Sequence, residues 1–353
     1  MKRVYSIDAF RGFDMLFLAG LSSVIASICL LSPGGAESWL YRQMDHAAWD
    51  GFHLYDTIFP TFLFISGLSW PFSYASKKSK GVGRGAIYFK IAERFVVLFL
   101  LGLVYNGLLA NLHLWELRYY SVLGRIGFCW AVSSILYINF SKKVRAVIAV
   151  TILIGYYLLL RFVSVPGSID PFSPEGNLVG YIDGGRFDPE GLLSNLPAIV
   201  TAMLGVFTGE LLRERKYSDG DKLLRMVGSA LLMVGIGLFW GRWFPINKAL
   251  WSSTFVLVAG GFALGVFSLF YFFIDVLGYR RWAFPFKVVG MNSITIYLAM
   301  EIIPFGIITT NVFGGLSDLC PSQWQPLVHS LGYTIICWLF LYFLYRKNVF
   351  LKV

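Results

Sequence analysis

The stretch Asp45-His46-Ala47-Ala48-Trp49-Asp50-Gly51-Phe52-His53-Leu54-Tyr55-Asp56 gathers three carboxylates and two of the four histidines of the chain into twelve residues. The rest of the sequence is poor in such groups, being 57% hydrophobic and 14% charged. Imidazole is the side chain whose ordinary pKa suits proton transfer near neutral pH. A carboxylate beside it can hold one tautomer and stabilise the imidazolium that forms. His46 is therefore the candidate catalytic base or nucleophile. Asp50 or Asp45 is the candidate orienting carboxylate, and Trp49 and Asp56 are candidate substrate contacts. Asp45, Asp50 and Asp56 are all near enough in sequence, and spacing does not choose among them. A plainer reading also exists: solvated loop histidines beside a belt of aromatic residues, Trp39, Trp49 and Tyr55.

Other polar groups stand in apolar surroundings, where charge is costly and tends to be paired or functional. Asp8, Arg11 and Asp14 share one helical face, and Asp8 and Arg11 have the spacing of an ion pair. Arg125 opens an apolar run and is either an interfacial anchor or a ligand for phosphate or carboxylate. Asn292, Ser293, Tyr297 and Glu301 form a polar stripe at near-helical spacing, read as lining a cavity or as glue between helices. Asn106, Asn111, His113 and Glu116 cluster at the end of another run, with His113 a weaker rival base, and His329 is weaker still. Cys29, Cys129, Cys320 and Cys337 have neither the spacing of a metal site nor that of a disulfide framework, so no metal is expected.

The elements that must carry these residues are helices in a bilayer. Mean hydropathy is +0.65, and apolar stretches near the ~20 residues of a membrane span recur along the chain. Ten such runs are read at 10–31, 57–74, 92–112, 121–140, 146–163, 192–212, 226–244, 250–277, 288–311 and 327–345. The expectation is an all-α polytopic membrane protein of about ten helices enclosing a polar cavity, in one membrane domain over 1–353. No connection reaches the ~50 residues of a soluble domain. The first run is read as a retained helix, since no small-residue cleavage site follows it.

The net charge is +10, and its distribution explains it. With the N-terminus inside, 23 of the 30 Lys and Arg residues fall on the inner side. By the positive-inside rule both termini are cytoplasmic, and the His46 loop faces the other side. This is a topology signal rather than a nucleic-acid footprint, so no nucleic-acid partner is expected. The two longest polar connections, 32–56 and 164–191, also lie outside, and long loops of this kind usually bind or cover something.

At this level of detail the chain resembles a known family, the transmembrane acetyltransferases typified by the heparan-α-glucosaminide N-acetyltransferases, with bacterial glucosamine N-acetyltransferase-like relatives. Ser6-Ile-Asp8-Ala-Phe-Arg11-Gly12 resembles the opening S-x-D-x-F-R-G. His46-Ala-Ala-Trp49-Asp50-Gly51 and Asp56-Thr-Ile-Phe-Pro60-Thr-Phe-Leu-Phe-Ile-Ser-Gly67 resemble H-x-x-W-[ND]-G and D-x-x-F-P-x-F-x-F-I-x-G. Val122-Leu-Gly-Arg125-Ile resembles V-L-Q-R-[IL]. Gly180-Tyr-Ile-Asp183 and Asp188-Pro-Glu-Gly191 resemble G-Y-[IL]-D and D-P-E-G. Asn247-Lys-Ala-Leu-Trp251-Ser252, Gly290-Met-Asn292-Ser293-Ile and Tyr345-Arg-Lys347 resemble N-K-x-L-W-S, G-M-N-S-I and the family's tail.

The resemblance implies acetyl transfer from cytosolic acetyl-CoA to an amino sugar on the far side of the membrane, with His46 as the active-site histidine. It implies a bacterial cytoplasmic (inner) membrane as the location. Arg11, Asp8, Arg125, Asp183, Asp188, Asn247, Asn292, Ser293 and Glu301 are the expected substrate or CoA contacts, with Asn292 and Ser293 placed to donate to a developing oxyanion. One departure stands out. The lysosomal member has an asparagine late in the helix before the histidine, where this chain offers Ser22 and Ser23. Two rival readings keep the same polar groups: a secondary transporter or flippase with the stripe as its path, and an envelope-glycan O-acetyltransferase. The oligomeric state, a homodimer included, is not legible in the sequence.

Overall fold

The computed structural model describes residues 4–108, 117–163, 165–183 and 190–351. Among them every regular element is helical, as the sequence predicts. Among the described residues seven helices are long and apolar enough to cross a membrane, or eight if one bent pair counts as a single span. Each of the ten apolar runs of the sequence contains helix. Two of these helices, α3 (Ile58–Ser79) and α4 (Arg84–Tyr105), reach 22 residues but are less apolar. The chain divides into two compact units.

The first unit comprises Met1–Ala47, His53–Ile58 and Leu269–Lys352. Helix α1 (Tyr5–Leu16) passes through a π-type turn at Phe17–Leu21 into α2 (Ser22–Leu30). The turn is possible because Gly20 adopts φ +130°, a region other residues avoid. The short helix α10 (Phe284–Gly290) lies directly on α1. A Cβ on Gly12 would overlap the carbonyl of Phe286, and one on Gly290 would overlap the carbonyl of Asp8. Two glycines thus let the backbones touch.

The ninth apolar run is not one helix. It forms α11 (Ser293–Ile302) and α12 (Phe305–Asp318), bent by 79°. The cause is Pro304, whose ring forces the preceding residue out of the helical region, and Ile303 sits at φ −98°, ψ 124°. Helix α12 then packs on α13 (Gln325–Arg346). Cys29 and Cys337 of this unit are buried, while Cys320 is partly exposed between α12 and α13.

The second unit comprises Ala48–Phe52 and Phe59–Ser268. It holds α3 and α4, then α5 (Val122–Asn139), α6 (Lys142–Phe162), α7 (Asn195–Arg213), α8 (Asp219–Trp240) and α9 (Ser253–Tyr271). Their starts are written in the sequence. The hydroxyls of Ser121, Ser141 and Ser218 accept N–H groups of the first turns of α5, α6 and α8. Helices α3 and α7 meet through Gly67 and Gly205, where a Cβ would overlap the carbonyls of Ala202 and Phe64. One ion pair lies between helices inside this unit: Arg145 donates to Glu210 at 2.6 Å across α6 and α7. Val147, Val150, Ile154, Leu224, Leu231 and Phe239 on α6 and α8 stay exposed, as side chains that face lipid do.

Candidate active site

His46 lies in a loop of the first unit that folds back on itself. The Gln43 carboxamide accepts the Leu54 N–H at 3.0 Å, and the Gln43 carbonyl accepts the Tyr55 N–H at 3.1 Å. Residues Leu54–Thr57 then form a single tight turn leading into α3. At its third position Asp56 reaches back, and its Oδ2 accepts the His53 N–H at 3.0 Å. This is the geometry by which an acidic residue closes the start of a helix. The same oxygen accepts the Ala47 N–H at 3.2 Å. Asp56 Oδ1 lies 2.7 Å from His46 Nδ1.

The carboxylate that meets the His46 ring is therefore Asp56. Asp45 instead accepts the backbone N–H of His46 at 2.7 Å. The Asp56 side chain is 1% exposed and that of His46 47%, so one partner is sunk and the other is reachable. A carboxylate oxygen accepts, so Nδ1 carries the hydrogen, and in the neutral ring this leaves the lone pair on Nε2. The ring of Tyr55 stands 4.8 Å from the imidazole ring. A buried carboxylate and an oriented, half-exposed imidazole are the parts of a general base or of a nucleophile.

Asp50 and Trp49 are held within the second unit. Asp50 Oδ1 accepts the Ile246 N–H at 2.9 Å, and Gly51 donates to the Ile246 carbonyl at 2.9 Å. Gly51 has φ +135°, which explains the glycine after Asp50. Trp49 Nε1 donates to the Phe172 carbonyl at 2.8 Å. Asn247 is fully buried and holds this loop: its amide donates to the Trp49 carbonyl at 2.8 Å, and its Oδ1 accepts the Leu250 N–H at 2.7 Å. Asn247 and Asp50 thus shape the loop around Trp49. Trp251 follows at φ +49°, a strained conformation costing about 1–3 kcal/mol. It is kept there by burial, by its Nε1 hydrogen bond to Thr201 at 3.2 Å, and by the Arg125 guanidinium 4.9 Å above its ring.

Arg125 is buried in the first turn of α5 and donates to the Ser194 hydroxyl and the Gly191 carbonyl. That carbonyl also accepts from Asn195 at 2.9 Å. Asp183 Oδ1 accepts the Leu192 N–H at 3.1 Å, and a Cβ on Gly191 would overlap the Asp183 carboxylate. The structure thus brings Arg125 and Asp183 to one loop around Gly191. A cavity of about 150 Å³ beside it is lined by Arg125, Glu190, Asn195, Tyr119 and Tyr120. Ser194 closes the stretch Asp188-Pro-Glu-Gly191-Leu-Leu-Ser, and Asn195, which sequence reading did not single out, follows it. Asn111, His113, Glu116, Arg186 and Asp188 lie outside the described residues.

In the first unit, Asp8 and Arg11 form the expected i, i+3 pair at 4.0 Å. Asn292 is buried at the break before α11 and donates to the Val349 carbonyl at 3.1 Å. Ser293 is buried beside it, and Glu301 is exposed near the end of α11. Among the described residues no group of three or more His, Cys, Asp or Glu is arranged to hold a metal ion.

No family model matches the chain. Two curated relatives do. The heparan-alpha-glucosaminide N-acetyltransferase of Homo sapiens is 27% identical over 99% of this chain and 60% of its own length. The heparan-alpha-glucosaminide N-acetyltransferase of Mus musculus is 25% identical over 100% of this chain and 61% of its own length. The chain therefore spans about 60% of the length of these relatives. The similarity runs nearly end to end and supports the acetyltransferase family to which the sequence motifs point.

Proposed function

We propose that this relative of the heparan-alpha-glucosaminide N-acetyltransferases transfers an acetyl group from cytosolic acetyl-CoA to the amine of an amino sugar on the non-cytoplasmic side of the membrane. The observation that carries the reading is the His46–Asp56 pair at 2.7 Å, with the carboxylate buried and the imidazole reachable. In the base route, the acceptor nitrogen attacks the thioester carbonyl while Nε2 of His46 takes the amine proton. A C–N bond forms, the C–S bond breaks, and the proton passes from the imidazolium to the departing sulfur, leaving an amide and the CoA thiol. In the nucleophile route, Nε2 attacks the thioester carbonyl, the C–S bond breaks and CoA leaves as its thiolate. The acceptor amine then attacks the acetyl-imidazole, the bond to Nε2 breaks, and the amine proton goes to the thiolate, giving the same amide and CoA thiol. Both routes need Nδ1 held by Asp56 and Nε2 turned outward.

The test is to incubate purified full-length protein with acetyl-CoA and glucosamine, measuring CoA thiol and N-acetylated sugar together. The expected result is stoichiometric formation of both. No CoA release with any amino sugar or glycan, with sugar movement across vesicles, would replace the enzyme by a transporter. Thiol release with hydroxyl acceptors alone would make it an O-acetyltransferase. Acetyl label retained on His46 after a donor-only incubation would select the nucleophile route.

A further inference from the structure

A second cavity, of about 450 Å³, lies wholly within the first unit and away from the His46 loop in sequence. Its walls include Tyr5, Ile274, Phe284 and three cations, Arg280, Arg281 and Lys287. Such a concentration of positive charge needs a counterpart, and no ion-pair partner for it is found among the described residues. Asp275 is the single acidic residue between 269 and 300. Its two oxygens are already engaged by the Tyr5 and Ser6 N–H groups, at 3.2 and 3.0 Å.

Instead the cations rest on aromatic faces. The Arg280 guanidinium lies 4.3 Å over the Tyr5 ring, and Lys287 Nζ lies 5.9 Å from the rings of Tyr5 and Tyr345. Cation–π contacts hold a side chain in place without neutralising it. Two guanidiniums offer forked donors matched to phosphate oxygens, and an ammonium adds a compact point charge. The volume is many times the ~30 Å³ of a water molecule. Tyr279 and Trp282 are exposed alongside, as aromatic residues are at the level of lipid headgroups.

We infer that this cavity binds a phosphate-bearing ligand, with Arg280, Arg281 and Lys287 as its anchors above the Tyr5 ring. Two sources share that chemistry: the phosphates of a CoA thioester, and the headgroup of an anionic phospholipid. Only the first source rests on the acetyltransferase reading; the phosphate site itself does not.

The test uses full-length protein in phosphatidylcholine nanodiscs, as wild type and as R280Q/R281Q/K287Q, with R281Q alone as a milder variant at an exposed position. Thermal unfolding without ligand establishes that each variant is folded. Binding of adenosine 3′,5′-bisphosphate and of 3′-dephospho-CoA is measured directly, and retention of phosphatidylglycerol is read by native mass spectrometry. If CoA is the source, the triple variant loses at least ~tenfold in affinity for the bisphosphate, the loss of one charge-assisted contact or more. If lipid is the source, nucleotide affinity is unchanged and retained phosphatidylglycerol falls. Unchanged values for both ligands in a folded triple variant overturn the inference. Phosphate binding that depends on the three cations, in a wild-type protein that releases no CoA thiol, would retain this site and reject the acetyltransferase reading.

Discussion

The imidazole of His46 is held by Asp56, ten positions further along the chain. The twelve-residue polar window was legible in the sequence, but the pairing inside it was not. Asp45 and Asp50 are nearer to His46 in sequence and looked the better orienters. Asp45 is engaged by the N–H of His46 itself, and Asp50 by the N–H of Ile246, 196 positions away. No local pattern reveals the second of these. His46→Ala should lower the rate of acetyl transfer by about 10² to 10⁴, the usual contribution of a general base, while donor binding is retained. Asp56→Asn should lower kcat to a similar degree, because an amide nitrogen turned toward Nδ1 favours the wrong tautomer. Asp45→Asn should cost far less. Equal kcat losses for Asp45→Asn and Asp56→Asn, with both variants folded by thermal unfolding, would remove Asp56 from the mechanism.

Helices were easier to read than helix contacts. Every apolar run of the sequence contains helix, but hydropathy alone did not show that Pro304 splits one run into two segments at 79°. Nor did it show why Gly12 and Gly290 stand inside the F-R-G and G-M-N-S-I motifs. Both let α1 and α10 touch backbone to backbone. Gly12→Ala and Gly290→Ala should each destabilise the protein by about 1–3 kcal/mol, the usual cost of overpacking. The double substitution should cost less than the sum, because a single separation of the same two helices relieves both overlaps. Gly228→Ala, where an added Cβ meets nothing within 4 Å, should be neutral or slightly stabilising. Thermal melts in detergent decide this. Full additivity at the α1–α10 contact would mean that the two glycines act independently.

Over the whole chain, the excess of basic residues on one set of loops predicts both termini inside. The loop that includes Ser38 and His46 would then lie on the opposite side from Ser79. Cysteines placed at Ser38 and Ser79 should react with an impermeant label from opposite faces of oriented vesicles. Reaction from one face at both positions would overturn the arrangement of the first two helices. In such vesicles acetyl-CoA supplied only to the outer face should support no turnover. Full turnover from that side would reject transfer across the membrane while leaving the acetyltransferase reading intact.

The burial of three of the four thiols has a practical consequence. Cys29, Cys129 and Cys337 are enclosed, and only Cys320 reaches the surface, at the turn between α12 and α13, far along the chain from His46. Alkylating agents and mild oxidants should therefore strike the native protein at this one position. About one equivalent of N-ethylmaleimide should be taken up, with no loss of turnover. The protein would thus tolerate oxidative conditions that inactivate transferases dependent on a reactive cysteine.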